Sequence, residues 1–161
     1  MSLSIPNETL REMENSLVAF RYVALSNDPE KELPAAPFHY RLSDLLLKDS
    51  RNIAIEMFRE SGKSSYALRT FPLHCLAKKG MNFIVIIKQN QRMASAKLKD
   101  IISEYLANPL VRHNLVEIKE QSMNVFSVDV KNAKGEIINI RIEAVQANAN
   151  TVNDISTSLS D

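Results

Sequence analysis

The stretch NIAIEMFRESGKSS, Asn52 to Ser65, decides how the chain is read. Asn52–Phe58 runs apolar or alternates, which predicts a strand, and a helix is predicted from Lys63 to about Lys79. Between them lies most of the phosphate-loop pattern G-x-x-x-x-G-K-[ST]. Gly62, Lys63 and Ser64 match it, while Met57 stands where the first glycine belongs. A bare G-K-[ST] triplet says little; its setting between a strand and a helix, with a second apolar strand following, is what the motif requires.

The chemistry assigns each residue a part. Gly62 lets the backbone approach phosphate, Lys63 neutralises the outer oxygens, and Ser64 is the expected Mg²⁺ ligand. Arg59 adds a second positive charge, Ser61 and Ser65 are extra donors, and Glu60 completes the nucleotide-binding loop Arg59–Ser65. ATP and Mg²⁺ are the expected cofactors. An ordinary strand-to-helix turn with an exposed lysine is the alternative reading.

Working outward, NFIVIIK, Asn82 to Lys88, is the most apolar strand candidate and reads as part of a parallel sheet. A helix is predicted from Gln91 to Ala107, stopping before Asn108–Pro109. NLVEIKE, NVFSVDV and EIINIRIEA alternate as strands, and KNAKGE, Lys131 to Glu136, turns the last two into a hairpin. Upstream, Pro6–Leu25 predicts an amphipathic helix with Leu10, Met13, Leu17 and Phe20 on one face. A shorter helix is predicted over His39–Lys48. Pro72 predicts a kink in the helix after the loop, and Gly80 a C-terminal cap.

With 161 residues, 45% hydrophobic and 24% charged, the chain suits one core-forming domain. A net charge of +1 gives no standing electrostatic grip on nucleic acid. The lone Cys75 excludes an internal disulfide and fits a reducing compartment. No membrane span or secretion signal is read, so a cytoplasmic protein is expected. The predicted organisation is a helical lead-in over 1–50, a partial ATPase domain over 51–144 and a disordered, Asn/Ser/Thr-rich tail over 145–161. The predicted fold class is α/β: an incomplete three-layer P-loop NTPase-like domain with N-terminal helices and a C-terminal β-hairpin.

Arg59, Gly62 and Lys63 resemble the deviant loop of phage terminase large subunits, which lacks the first glycine and carries an arginine three residues before Gly-Lys. PAAPFHYRLSDLL, Pro34 to Leu46, is similar to that family's segment before the first ATPase strand, close to the adenine, where His39 falls. The helix–strand–helix from Arg69 to Val111 is similar too, and the likeness spans Pro34–Ala144. It implies an ATP-driven motor that packages double-stranded DNA in a bacterial host, with the portal protein, the small terminase subunit and further copies of itself as partners.

Such an ATPase needs Asp for Mg²⁺ and Glu to activate water at the end of an apolar strand. Asp129 lacks the following acid, and Glu143 ends a half-polar strand. The family's nuclease carboxylates have no counterpart, so the expectation is a truncated or split fragment with weak or no turnover. A helicase-like ATPase and a non-catalytic interaction module are the rival readings. His39, His74, His113 and Cys75 read as packing or surface groups, because adjacent residues such as His74 and Cys75 diverge by about 100° on a helix. Lys88, Arg92, Lys97 and Lys99 read as a solvated basic strip.

Overall fold

The computed structural model describes residues 5–26, 34–48, 54–78 and 81–147. It is a mixed α/β protein with helices and one four-stranded mixed sheet. Its contacts gather into two compact units, Met1–Gly80 with Asn108–Val111, and Met81–Ala107 with Arg112–Asp161.

The regular secondary structure described in the first unit is helical throughout. Where one helix was expected over Pro6–Leu25, the chain forms α1 (Asn7–Asn15), α2 (Leu17–Phe20) and a π-wound turn (Arg21–Leu25). Ser16 is the cause of the break. It is extended, with φ −145° and ψ 120°, and its hydroxyl accepts from the Ala19 N–H as an N-cap. Ser43 of α3 (Pro37–Lys48) accepts from the Leu17 N–H at 2.8 Å, satisfying a second orphan donor of the new helix. The restart turns Leu17, Val18 and Phe20 into the core.

The strand expected over Asn52–Phe58 is not formed across its described part, residues 54–58. The alternation that suggested it is nonetheless used. Ile55 and Met57 are half-buried against the cluster of Leu17, Val18, Leu42 and Tyr66, while Ala54, Glu56 and Phe58 are exposed. The segment buries one side on helices instead of pairing its backbone in a ladder.

Helical winding then runs without interruption from α4 (Lys63–Ser65) through a π turn (Tyr66–Thr70) into α5 (Phe71–Lys78). The disturbance expected at Pro72 is this π turn. The Phe71 N–H bonds to the Tyr66 carbonyl five residues back, and the Thr70 hydroxyl bonds to the Ser65 carbonyl. Widening the helix ahead of Pro72 accommodates a residue with no N–H to give. The cap predicted at Gly80 lies outside the described residues.

In the second unit β1 (Phe83–Lys88) leads into α6 (Gln91–Ala107), followed by β2 (Leu115–Gln121), β3 (Val125–Lys131) and β4 (Ile137–Gln146). The sheet order is β1-β4-β3-β2, with β1 parallel to β4 and the other pairs antiparallel. β1 has the parallel neighbour its apolar run suggested, β4, but it is an edge strand of a mixed sheet. Only Ile86 of it is fully buried, and Ile87 is exposed. The expected hairpin forms between β3 and β4, where Gly135 takes φ +81° and its N–H bonds to the Asn132 carbonyl. β4 runs two residues past Ala144, the expected end of folded sequence, and residues 148–161 of the expected tail lie outside the described residues.

Register places Ile86, Phe126, Val128, Ile140, Ile142 and Ala144 on one sheet face, where α6 packs with Leu98, Ile101 and Tyr105. The other face carries Lys119, Asp129, Asn139, Arg141 and Glu143 in a polar ladder. Within this unit one helix and one sheet make two layers.

Candidate functional site

Gly62 begins the helical run that starts at Lys63, and its φ of +81° is left-handed. A side chain there would be strained, and a Cβ would lie 3.3 Å from the His39 imidazole. Glu60, two residues earlier, is also left-handed at φ +64°, the one non-glycine residue so placed among the described residues. Such a conformation costs a non-glycine residue on the order of 1 kcal/mol. Two left-handed residues flanking Ser61 fold the loop into a tight turn, closed by the Ser61 N–H on the Phe58 carbonyl.

The loop is held from three sides. The Lys63 ammonium curls back to the Met57 carbonyl at 2.8 Å, spanning the turn. His39 accepts from the Ala36 N–H at Nδ1, which leaves Nε2 as the donor to the Ser61 carbonyl at 2.8 Å. The His39 ring stacks on Tyr66 with centroids 5.0 Å apart. Arg21 also lies over the Tyr66 ring, 5.0 Å from its centroid, and donates to the Ser65 hydroxyl.

Ser61 is 4% exposed, and its hydroxyl has no hydrogen-bond partner. Leaving such a group unsatisfied costs roughly 1–3 kcal/mol. It borders a cleft of about 1030 Å³ whose walls include Arg21, Phe38, His39, Phe58, Gly62 and Tyr66. Phe58 is exposed and meets Phe38 edge-on at 5.4 Å.

The structure thus brings Glu60, Ser61 and Gly62 to the cleft, while Arg59, Lys63, Ser64 and Ser65 are not among its walls. Arg59 and Ser64 are exposed. Sequence reading missed Arg21, Phe38, Phe58 and Tyr66. Nothing local marked Arg21 or Tyr66; Phe38 and His39 sat within the segment PAAPFHY already linked to the loop.

The remaining candidates lie elsewhere. Asp129 is engaged by Asn139 and Lys119, and Glu143 by Arg141, which also bridges to Glu120. Both acids belong to the polar sheet face. His74 is buried in α5; its Nε2 donates to the Met13 carbonyl at 2.9 Å, its ring meets Phe20 edge-on, and Nδ1 has no partner. Burial is the main cause that lowers its pKa, with Lys78 adding to this and the Met13 carbonyl and Glu14 opposing it. Cys75 is buried beside it and His113 is exposed. Among the described residues no three His, Cys, Asp or Glu side chains gather as a metal group. Arg92 and Lys99, seven positions apart on α6, share a helix face, whereas Lys97 lies about 140° round from Arg92. No helix among the described residues is long and apolar enough to cross a membrane.

No family model, no curated protein and no solved structure matches the chain.

Proposed function

We propose that Arg59–Ser65 is a polyphosphate-binding loop and that the chain is the ATP-binding portion of a phage DNA-packaging motor of the terminase type. The observation that carries the nucleotide reading is the buried, unpartnered Ser61 hydroxyl between left-handed Glu60 and Gly62, at the head of a helical run. The Ser61 N–H is taken by the Phe58 carbonyl, so the N–H groups at the helix start that follows Gly62 are the ones an anion would meet, and that start adds positive potential. Lys63 already lies across the same turn on the Met57 carbonyl, a neutral partner that an anion would displace. Support for the motor family is the loop's Arg59, Gly62 and Lys63, and the approach of the upstream PFHY segment to it through His39.

Mg²⁺ would come with the nucleotide, and Ser64, exposed in the first helical turn, has the hydroxyl to meet it. Asp129 and Glu143 are committed to ion pairs on the sheet, so this chain binds ATP without turning it over unless another chain supplies the acids. The same commitment favours the second reading, a non-catalytic interaction module. Calorimetry separates them. ATP or ADP should bind the full chain, and Lys63→Ala should weaken binding roughly ten- to hundredfold, the worth of one charge-assisted contact. Wild-type protein that takes up neither nucleotide contradicts the proposal and leaves the module.

A further inference from the structure

We propose that Arg21 is a second phosphate-binding cation of this site, reading the terminal phosphate of a nucleoside triphosphate. The inference rests on the nucleotide reading above and adds a residue 38 positions before the loop pattern begins to match at Arg59. Arg21 begins the first π turn, and its guanidinium donates to the Ser65 hydroxyl, in the first turn of the helix that follows Gly62. It also lies over the Tyr66 ring, which stacks with His39, and His39 in turn holds the Ser61 carbonyl. Arg21, Tyr66, Ser61 and Gly62 border one cleft, while Lys63 reaches back over the loop to Met57.

The two cations therefore approach the helix start differently. Lys63 is a point charge tethered to the turn itself. Arg21 comes from a separate element and brings a planar fork that fits paired phosphate oxygens. The Tyr66 ring and the Ser65 hydroxyl hold the guanidinium in place, which lowers the ordering cost of gripping an anion. Among the cleft walls Arg21 is the permanent positive charge, facing the acidic Glu12 and Glu60, so an anion is favoured only beside the guanidinium itself. A phosphate seated at the Ser61 turn shares its cleft with Arg21, while Ser65, outside the cleft walls, anchors the guanidinium.

Titration calorimetry with ATP and with ADP on the full chain tests this, using Arg21→Gln, Arg21→Lys and Lys63→Ala. Arg21→Gln should lose at least tenfold in ATP affinity and less than twofold for ADP. Arg21→Lys, which keeps charge without the fork, should fall between, and it serves in place of Arg21→Gln should that variant unfold. Lys63→Ala should weaken both nucleotides. Equal losses for ATP and ADP would make Arg21 a structural support of Tyr66 and overturn the proposal, as would no loss at all. A wild-type chain that binds neither nucleotide overturns the underlying loop reading, a result distinct from normal wild-type binding with indifferent Arg21 variants.

Discussion

Residues 54–58 and 83–88 look alike in sequence: each is a short apolar run followed by a turn and a helix. Only the second becomes a strand. Phe83–Lys88 finds β4 in parallel register, so its backbone groups enter a ladder and Ile86 is buried beneath α6. Residues 54–58 keep the same alternation but lay Ile55 and Met57 on helices. Period-two alternation reports one wet side and one dry side, and a helical surface can supply the dry side as well as a sheet can. The consequence for the loop is large: it is positioned by side chains of Arg21, His39 and Lys63 rather than by a strand.

The comparison breaks most readily at the sheet. Phe126→Ala in β3 should cost about 3–5 kcal/mol, against about 1 kcal/mol for half-buried Ile55→Ala, both from urea unfolding. Equal costs would mean the 54–58 segment is anchored as firmly as the ladder.

Acid should discriminate between the regions next. His74 is held neutral in the first unit by burial, its pKa below the ordinary 6.5. Unfolding lets it take up a proton at the higher, ordinary value, so its contribution is present above pH 6.5 and declines as pH falls below it towards the folded value. Thermal unfolding between pH 8 and pH 5 should show this loss. His74→Gln should flatten the profile; an unchanged slope would reject the account.

Smaller effects sharpen the second unit and the loop. Tyr105 is fully buried, its hydroxyl has no partner, and burial pushes its pKa up to about 12, with Arg112 opposing. Tyr105→Phe should be neutral or stabilise by up to about 1 kcal/mol, and should remove the late phase from a tyrosinate absorbance titration. A clear destabilisation would reveal a bond the hydroxyl makes. Glu60→Gly should stabilise by about 0.5–1 kcal/mol by releasing the left-handed backbone, measured by the same urea unfolding. Destabilisation would mean that the glutamate side chain carries more than its backbone costs.

Local signals were legible where local chemistry decides. Gln91–Ala107 ends before Asn108–Pro109 as its proline dictates, and Asn132–Gly135 turns the hairpin as its residues require. Gly62 was read as a backbone position, and it is one. The break at Ser16 carried a cap signal that the continuous apolar spacing around it hid. What no local pattern encodes is partner choice: that β1 would pair with β4, 58 positions downstream in register, or that Arg21 would meet Ser65 and His39 meet Ser61. Those contacts follow from helices packing on shared apolar surface, which sequence spacing alone leaves open.

Amide chemical shifts followed by NMR during ADP titration of the full chain test the central claim most directly. The largest shifts should fall on the Ser61–Ser65 amides and saturate together, with a Ser61→Ala variant binding more weakly at unchanged or higher unfolding stability. Shifts that leave those five amides still while moving others, or no shifts at all, would contradict a phosphate site at Gly62.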